Sequence, residues 1–187
     1  MKATGNETPG DRRTRLLALL REKAVSKGDF TLASGRKSSY YVDGRLVTLH
    51  PEGAYLIARV ILDLLDREGI EADLIGGLSM GADPIAGAVA AVSHTFGRPL
   101  SGFMVRKKAK DHGTGKLVEG DLTGGARALV VDDVITTAGS TLEAIRAVEQ
   151  AGCSVVAVIC VIDREEGGRA ALEGYRFLPL YRVSELL

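Results

Sequence analysis

A chain of 187 residues, 45% hydrophobic and 26% charged, has room for one soluble domain with a substantial core. Its 24 basic and 24 acidic residues cancel, so the overall charge points to neither nucleic acid nor an anionic membrane. No apolar run approaches the ~18 residues of a membrane span, and Cys153 and Cys160, without metal or disulfide-framework spacing, read as core thiols of a reducing cytoplasm.

Residues 1–187 read as a single domain in which the polar stretch 1–11, lacking an apolar h-region, is a disordered tail. Residues 14–27 carry Leu16, Leu17, Leu19 and Leu20 among Arg and Lys, the stripe of a surface helix. In residues 30–45 (FTLASGRKSSYYVDGR), turn residues precede a β-prone run, and Asp43-Gly44 gives a hairpin-type turn signal. An edge hairpin accounts for this pattern but not for the density of Arg36, Lys37, Ser38, Tyr40 and Tyr41, which suits the wall of a polar, aromatic site.

Residues 51–69 form the clearest helix, with Pro51 in its first turn, Tyr55, Ala58, Ile61, Leu62 and Leu65 at helical spacing, and Gly69 at its end. A short strand at 73–77, a Gly-rich loop (LSMGADP) and a helix at 85–96 follow, the order expected of a parallel α/β sheet. The turn at 76–81 either presents amides to an anion or uses small residues for close packing. A strand at 101–105 then runs into RKKAKDHGTGKLVEGDL. There Arg106, Lys107, Lys108, Lys110, His112 and Lys116 sit beside Gly113 and Gly115, which reads either as a solvated charged loop or, favoured by the concentration of cations in a chain of zero net charge, as a mobile lid over a polyanion.

Residues 128–141 (ALVVDDVITTAGST) organise the rest. Ala128 to Val131 read as a buried strand, Asp132 and Asp133 lie at its carboxyl end, and a Thr/Gly/Ser loop leads to a helix beginning at Leu142. Ligands of open α/β sheets bind beyond the carboxyl ends of strands, and a helix N-terminus offers free N–H groups and positive partial charge to phosphate. The stretch therefore predicts a phosphate cradle beside carboxylates that grip polyol hydroxyls. Adjacent strand residues point to opposite faces, which favours hydroxyl bonding over joint chelation of one ion. The loop contains neither GxxxxGK[ST] nor GxGxxG. Residues 154–162 predict a fully buried strand ending at charged residues that include Arg164, residues 175–181 a last strand, and VSELL a short helix.

VVDDVITTAGST resembles the 5-phosphoribosyl-1-pyrophosphate (PRPP) motif of the type I phosphoribosyltransferases. FTLASGRKSSYYVDGR and RKKAKDHGTG resemble the N-terminal substrate segment and catalytic loop of the orotate phosphoribosyltransferase family. The resemblance covers residues 30–164 in one order. It implies an α/β fold with a central mostly parallel sheet flanked by helices and a small N-terminal hood. It implies transfer of phosphoribose from PRPP to orotate in pyrimidine biosynthesis. The alternatives are a type I transferase for another base and a non-catalytic PRPP-binding regulator.

By the same resemblance, PRPP is held by Arg106, Lys107, Lys110, His112, Asp132, Asp133, Val134, Ile135, Thr136, Thr137, Ala138, Gly139, Ser140 and Thr141. Of these, Arg106, Lys107, Lys110, His112, Asp132 and Asp133 act in catalysis, and Thr136, Arg164, Tyr40 and Tyr41 meet orotate. Mg²⁺ is the implied cofactor, held mainly by substrate rather than by a protein site. The implied assembly is a homodimer with Arg106 reaching the neighbouring site, and no nucleic acid or membrane partner. Two positions depart from the pattern: Ala33 stands where well-known members have Lys, and Met80-Gly81 where some have Tyr-Lys.

Overall fold

The structure, a computed structural model, describes residues 7–31, 35, 37–107 and 117–187. Helix α1 (Pro9–Lys23) starts inside the stretch expected to be a tail. The reason is a capping box: the Thr8 hydroxyl accepts from the Asp11 N–H, and the Asp11 carboxylate accepts from the Thr8 N–H. The helix also ends four residues before the expected Lys27, because Val25 opens β1 (Val25–Thr31). That strand pairs antiparallel with β2 (Lys37–Val42), Val25 facing Val42 and Lys27 facing Tyr40. Asp43-Gly44 does not make the hairpin turn; it carries the chain from β2 into the short helix α2 (Arg45–Thr48).

Helix α3 (Pro51–Glu68) is the predicted one, closed by Gly69 in the left-handed region at φ 61°. Its buried face, with Leu56, Ile57, Ile61 and Leu65, packs with Leu16, Leu19 and Leu20 of α1. A two-pronged Arg12–Asp63 ion pair, both contacts 2.9 Å, ties the two helices.

The remaining elements are β3 (Leu74–Leu78), α4 (Asp83–Thr95), β4 (Ser101–Val105), β5 (Val118–Glu119), β6 (Arg127–Ile135), α5 (Gly139–Gln150), β7 (Ser154–Asp163), α6 (Gly168–Ala171), β8 (Phe177–Arg182) and α7 (Val183–Leu186). Among the described residues, six strands form one sheet in the order β5-β4-β3-β6-β7-β8. All neighbours run parallel except β5 on β4, as expected for a mostly parallel sheet. Along β6, Leu129 and Val131 join the core shared with α1 and α3, while Ala128 and Val130 join the core under α5. That two-sided burial is why the strand reads as an unbroken apolar run.

β6 extends past the two acids to Ile135, since its pairing with β7 continues through Val134 opposite Ile162 and Ile135 opposite Asp163. Its pairing with β3 is shorter and ends at Gly76 opposite Val130. A Cβ on Gly76 would lie 2.1 Å from the Phe103 carbonyl oxygen, and one on Gly77 2.2 Å from that of Val131. These two glycines permit close backbone approach, the packing alternative for this turn.

Candidate active site

The sheet ends in a cleft of about 300 Å³ on its carboxyl side. Tyr41, Gly44, Arg45, Ser79, Met80, Gly81, Lys107, Asp132, Asp133, Val134 and Ser140 are among its lining residues. A second cavity of about 270 Å³ opens at the amino ends of β3 and β4, between Arg59, Phe96 and Leu100. Position and chemistry favour the first: strand carboxyl ends are where open α/β sheets bind ligands, and that cleft holds both predicted carboxylates.

Asp132 and Asp133 start from opposite faces of β6 yet converge on one point. Beyond Gly76 the chain of β3 leaves β6, and its loop places Gly81 in the resulting gap. A Cβ on Gly81 would stand 2.6 Å from Oδ1 of Asp132 and 2.6 Å from Oδ1 of Asp133. The alternation of strand side chains therefore does not keep the two carboxylates apart. Gly44 closes the cleft from the other side, where an added Cβ would lie 3.1 Å from Asp133 Oδ2. Gly81 is thus a tight fit to the carboxylate pair, whereas Met80 is exposed, and the bond before Met80 is cis. Ala33, the other departure, lies outside the described residues.

Burial and then the neighbouring Asp133 charge push the Asp132 carboxyl up to about 7. Burial likewise raises Asp133, against the pull of nearby Arg45. The hydroxyls of Ser140 and Thr141 donate to Asp132 Oδ2 at 3.0 and 3.3 Å, and the Asp133 N–H donates to Asp132 Oδ1 at 3.0 Å. Asp132 thereby organises the start of α5. The helix begins at Gly139, not Leu142, so Gly139, Ser140 and Thr141 form its first turn. First-turn amides lack intrahelical acceptors, which gives the predicted cradle its N–H donors.

The cradle residues divide by burial. Thr137, Gly139 and Ser140 are exposed, Thr136 is half-buried, and Ile135, Ala138 and Thr141 are buried. Ala138 holds a left-handed backbone at φ 65°, which turns the chain into the helix.

Arg164 follows the carboxyl end of β7 and, like Tyr40, is not among the residues lining the carboxylate cleft. It is 9% exposed, and its Nη2 pairs with Glu166 at 2.7 Å. The guanidinium carbon sits 5.5 Å from the Tyr40 ring centroid, and the buried Nε has no hydrogen-bond partner. The structure therefore joins Arg164 to Tyr40, while Tyr41 lines the cleft and stacks at 5.7 Å on Phe30. The Arg164 N–H donates to the Ile135 carbonyl at 2.9 Å, linking this cluster to the cradle.

On the other flank, Arg106 bonds Glu119 of its own chain at 2.9 Å, and exposed Lys107 reaches the carboxylate cleft. Lys110 and His112 lie outside the described residues. Sequence reasoning missed Arg45, a cleft cation held by Asp43 through contacts of 2.9 and 3.0 Å. A turn-signal reading of Asp43-Gly44 hides it, although a cation directly after that pair is visible. Cys160 is a core thiol that burial drives well above the ordinary thiol range.

The sequence profile of the phosphoribosyl transferase domain matches residues 47–179. The chain is 45% identical over 160 residues to the orotate phosphoribosyltransferase of Rhodopirellula baltica, covering 83% of each chain. It is 43% identical over 181 residues to that of Rhodopseudomonas palustris, covering 94% of this chain and 96% of the relative. Among solved structures, Mycobacterium tuberculosis H37Rv orotate phosphoribosyltransferase in complex with PRPP superposes with a TM-score of 0.78 at 38% identity, over 94% of this chain and 98% of that one.

Proposed function

Since the chain belongs to the phosphoribosyl transferase family, with orotate phosphoribosyltransferases as its similar relatives, we propose that it moves the 5-phosphoribosyl group of PRPP to orotate. The products are orotidine 5-phosphate and pyrophosphate. One observation carries the choice of acceptor: a buried arginine with an unpartnered Nε, faced by Tyr40 and joined by a backbone bond to the phosphate cradle. A planar base bearing a carboxylate matches that cation and ring, its carboxylate taking over the guanidinium face that Glu166 holds in the free chain.

In this reading the amides and hydroxyls of residues 136–141 bind the 5-phosphate. Asp132 and Asp133 accept from the ribose hydroxyls, which draws both carboxyls toward their ionised forms. Lys107, with Lys110 and His112, neutralises pyrophosphate as negative charge grows on the departing oxygens. Orotate N1 attacks the opposite face of C1, so no covalent enzyme intermediate is required. Closure of the basic loop excludes water that would otherwise hydrolyse PRPP.

Mg²⁺ fits a site of this chemistry as a cation brought by PRPP and held mainly by the substrate's own oxygens, since Gly81 packs between the two Oδ1 atoms and the described residues hold no group of three metal-ligating side chains. When bound, it supplies further neutralisation of the pyrophosphate. We place the enzyme in the cytoplasm as a homodimer of single-domain chains, Arg106 leaving its own chain's Glu119 to cross to the neighbouring site. Two unpaired buried cysteines support the setting, and the exposed apolar Met80 and Met104 beside Arg106 support the interface.

The test is loss of orotate absorbance with PRPP and Mg²⁺, run beside adenine, hypoxanthine, uracil and xanthine. Turnover of orotate alone is expected, and Arg164→Ala should reduce it at least tenfold. Full orotate turnover by that variant would refute the acceptor assignment.

A further inference from the structure

The segment from Asp163 to Gly168 is shaped more elaborately than a solvent-facing turn requires. Glu165 holds a left-handed backbone at φ 59°, uncommon for a residue with a side chain. Two bonds keep it there. The Glu165 N–H donates to Asp163 Oδ1 at 2.8 Å, and Glu165 Oε2 accepts from the Ser184 N–H at 3.1 Å. Ser184 holds the Glu165 carboxyl below the usual carboxylate range, so it is an anion at neutral pH. On the far side of the segment, a Cβ on Gly168 would lie 2.5 Å from Ile135 Cγ2, which seats the segment against the cradle.

Ser184 belongs to α7, and the same terminal turn touches α1 and β1 as well. Arg21 of α1 donates through Nε and Nη2 to the Glu185 carbonyl at 3.1 and 2.7 Å, and Lys27 Nζ donates to the Leu187 carbonyl at 3.3 Å. Lys27 is the β1 residue directly opposite Tyr40 in β2. The terminal turn thus holds Arg164 through Glu165 and reaches the strand pair that carries Tyr40, the ring facing Arg164.

We infer that Glu165 is a positioning residue for the acceptor, and that α7 clasps together the two walls, Arg164 and Tyr40, between which the carboxylated base binds. Glu165 itself faces Ser184 and need not touch either substrate. Its contribution is to fix the backbone on either side of Arg164, so that the buried Nε meets a carboxylate in one orientation. The inference rests on the reading of Arg164 as the acceptor's partner, and it makes a prediction that reading does not: a residue pointing away from the cleft controls orotate affinity and leaves PRPP affinity alone.

Three full-chain variants separate the carboxylate contact from backbone strain. Glu165→Gln keeps an oxygen acceptor for the Ser184 N–H; Glu165→Ala loses it; Glu165→Gly loses it while relaxing the left-handed backbone. Steady-state kinetics should show the KM for orotate raised about fivefold or more in the Ala and Gly variants. The Gln variant should stay within about twofold, and the KM for PRPP should stay within about twofold in all three. A melting curve checks that each variant is folded at the assay temperature. An unchanged orotate KM in both Ala and Gly variants overturns the proposal, as does a parallel rise in both KM values. Arg164→Ala, assayed alongside, tells the two failures apart. If Arg164→Ala loses orotate turnover and Glu165→Ala does not, only the positioning role falls. If Arg164→Ala turns over orotate normally, the acceptor reading falls and takes this proposal with it.

Discussion

Replacing Asp132 by Asn tests the electrostatics of the carboxylate pair without requiring substrate. In the folded, ligand-free protein the Asp132 carboxyl titrates at about 7, against 3.8 for an ordinary aspartate, because it is buried beside Asp133. The folded state thus holds its proton more tightly than the unfolded chain does. The associated stability is complete below about pH 4 and is lost as pH rises through about 7. At roughly 1.4 kcal/mol per pH unit, the loss approaches about 4 kcal/mol by pH 8 if Asp132 takes all of it. Asp133 shares the coupled titration, so about 2 to 4 kcal/mol is the working range. Asn cannot ionise, and its side-chain oxygen still accepts from Ser140 and Thr141. About 1.6 kcal/mol of that loss already lies below pH 5, so urea unfolding at pH 5 and pH 8 should show the parent weakening by about 1 to 3 kcal/mol and Asp132→Asn weakening much less. An equal loss in both proteins would refute the argument that a buried, repelled carboxyl sets the pH response. The same reasoning has PRPP binding release protons near pH 6.5, since hydroxyl donors favour the ionised acids; calorimetry in buffers of different ionisation enthalpy reads that release.

Gly81→Ala puts a methyl 2.6 Å from each Oδ1 of the pair. It should lower kcat/KM for PRPP at least tenfold while shifting the melting temperature by only a few degrees, because the carboxylates have the cleft to move into. A melting loss on the scale of a core cavity, with PRPP kinetics intact, would contradict the placement. Lys107→Ala and His112→Ala should reduce kcat far more than PRPP affinity if these cations act mainly as pyrophosphate leaves, which single-turnover rates and direct PRPP binding distinguish.

Much of the site was legible because the signals are local. The apolar run Ala128 to Val131, followed by two acids and a Thr/Gly/Ser loop, specifies a buried strand entering a ligand-facing end, and the structure has β6 leading through Asp132 and Asp133 to α5. What the sequence hid is non-local. β6 continues to Ile135 only because β7 keeps pairing with it. Ser26 and Lys27 leave the first helix for a strand because Val25 finds Val42 across the chain. Asp43-Gly44 imitates a hairpin turn, whereas Gly44 is small because Asp133 packs against it. The meeting of Arg164 with Tyr40 depends on hood and sheet coming together, which no spacing along the chain encodes. Gly81 is the instructive intermediate case. Its place in a Gly-rich turn was apparent, but its reason, a pair of carboxylates arriving from two faces of a strand, needs three dimensions.

The bond from the Arg164 N–H to the Ile135 carbonyl, with Gly168 seated on Ile135 and Thr136, bears on redesign. In the proposed reading, base choice is not a cassette. Grafting residues 163–168 from a transferase with another acceptor would also re-seat the backbone that leads into the phosphate cradle, so a swapped preference would arrive with an altered grip on the shared donor. In the same reading, Tyr41, which lines the carboxylate cleft, is the place to begin retargeting, because Tyr40 faces Arg164 and belongs to that junction.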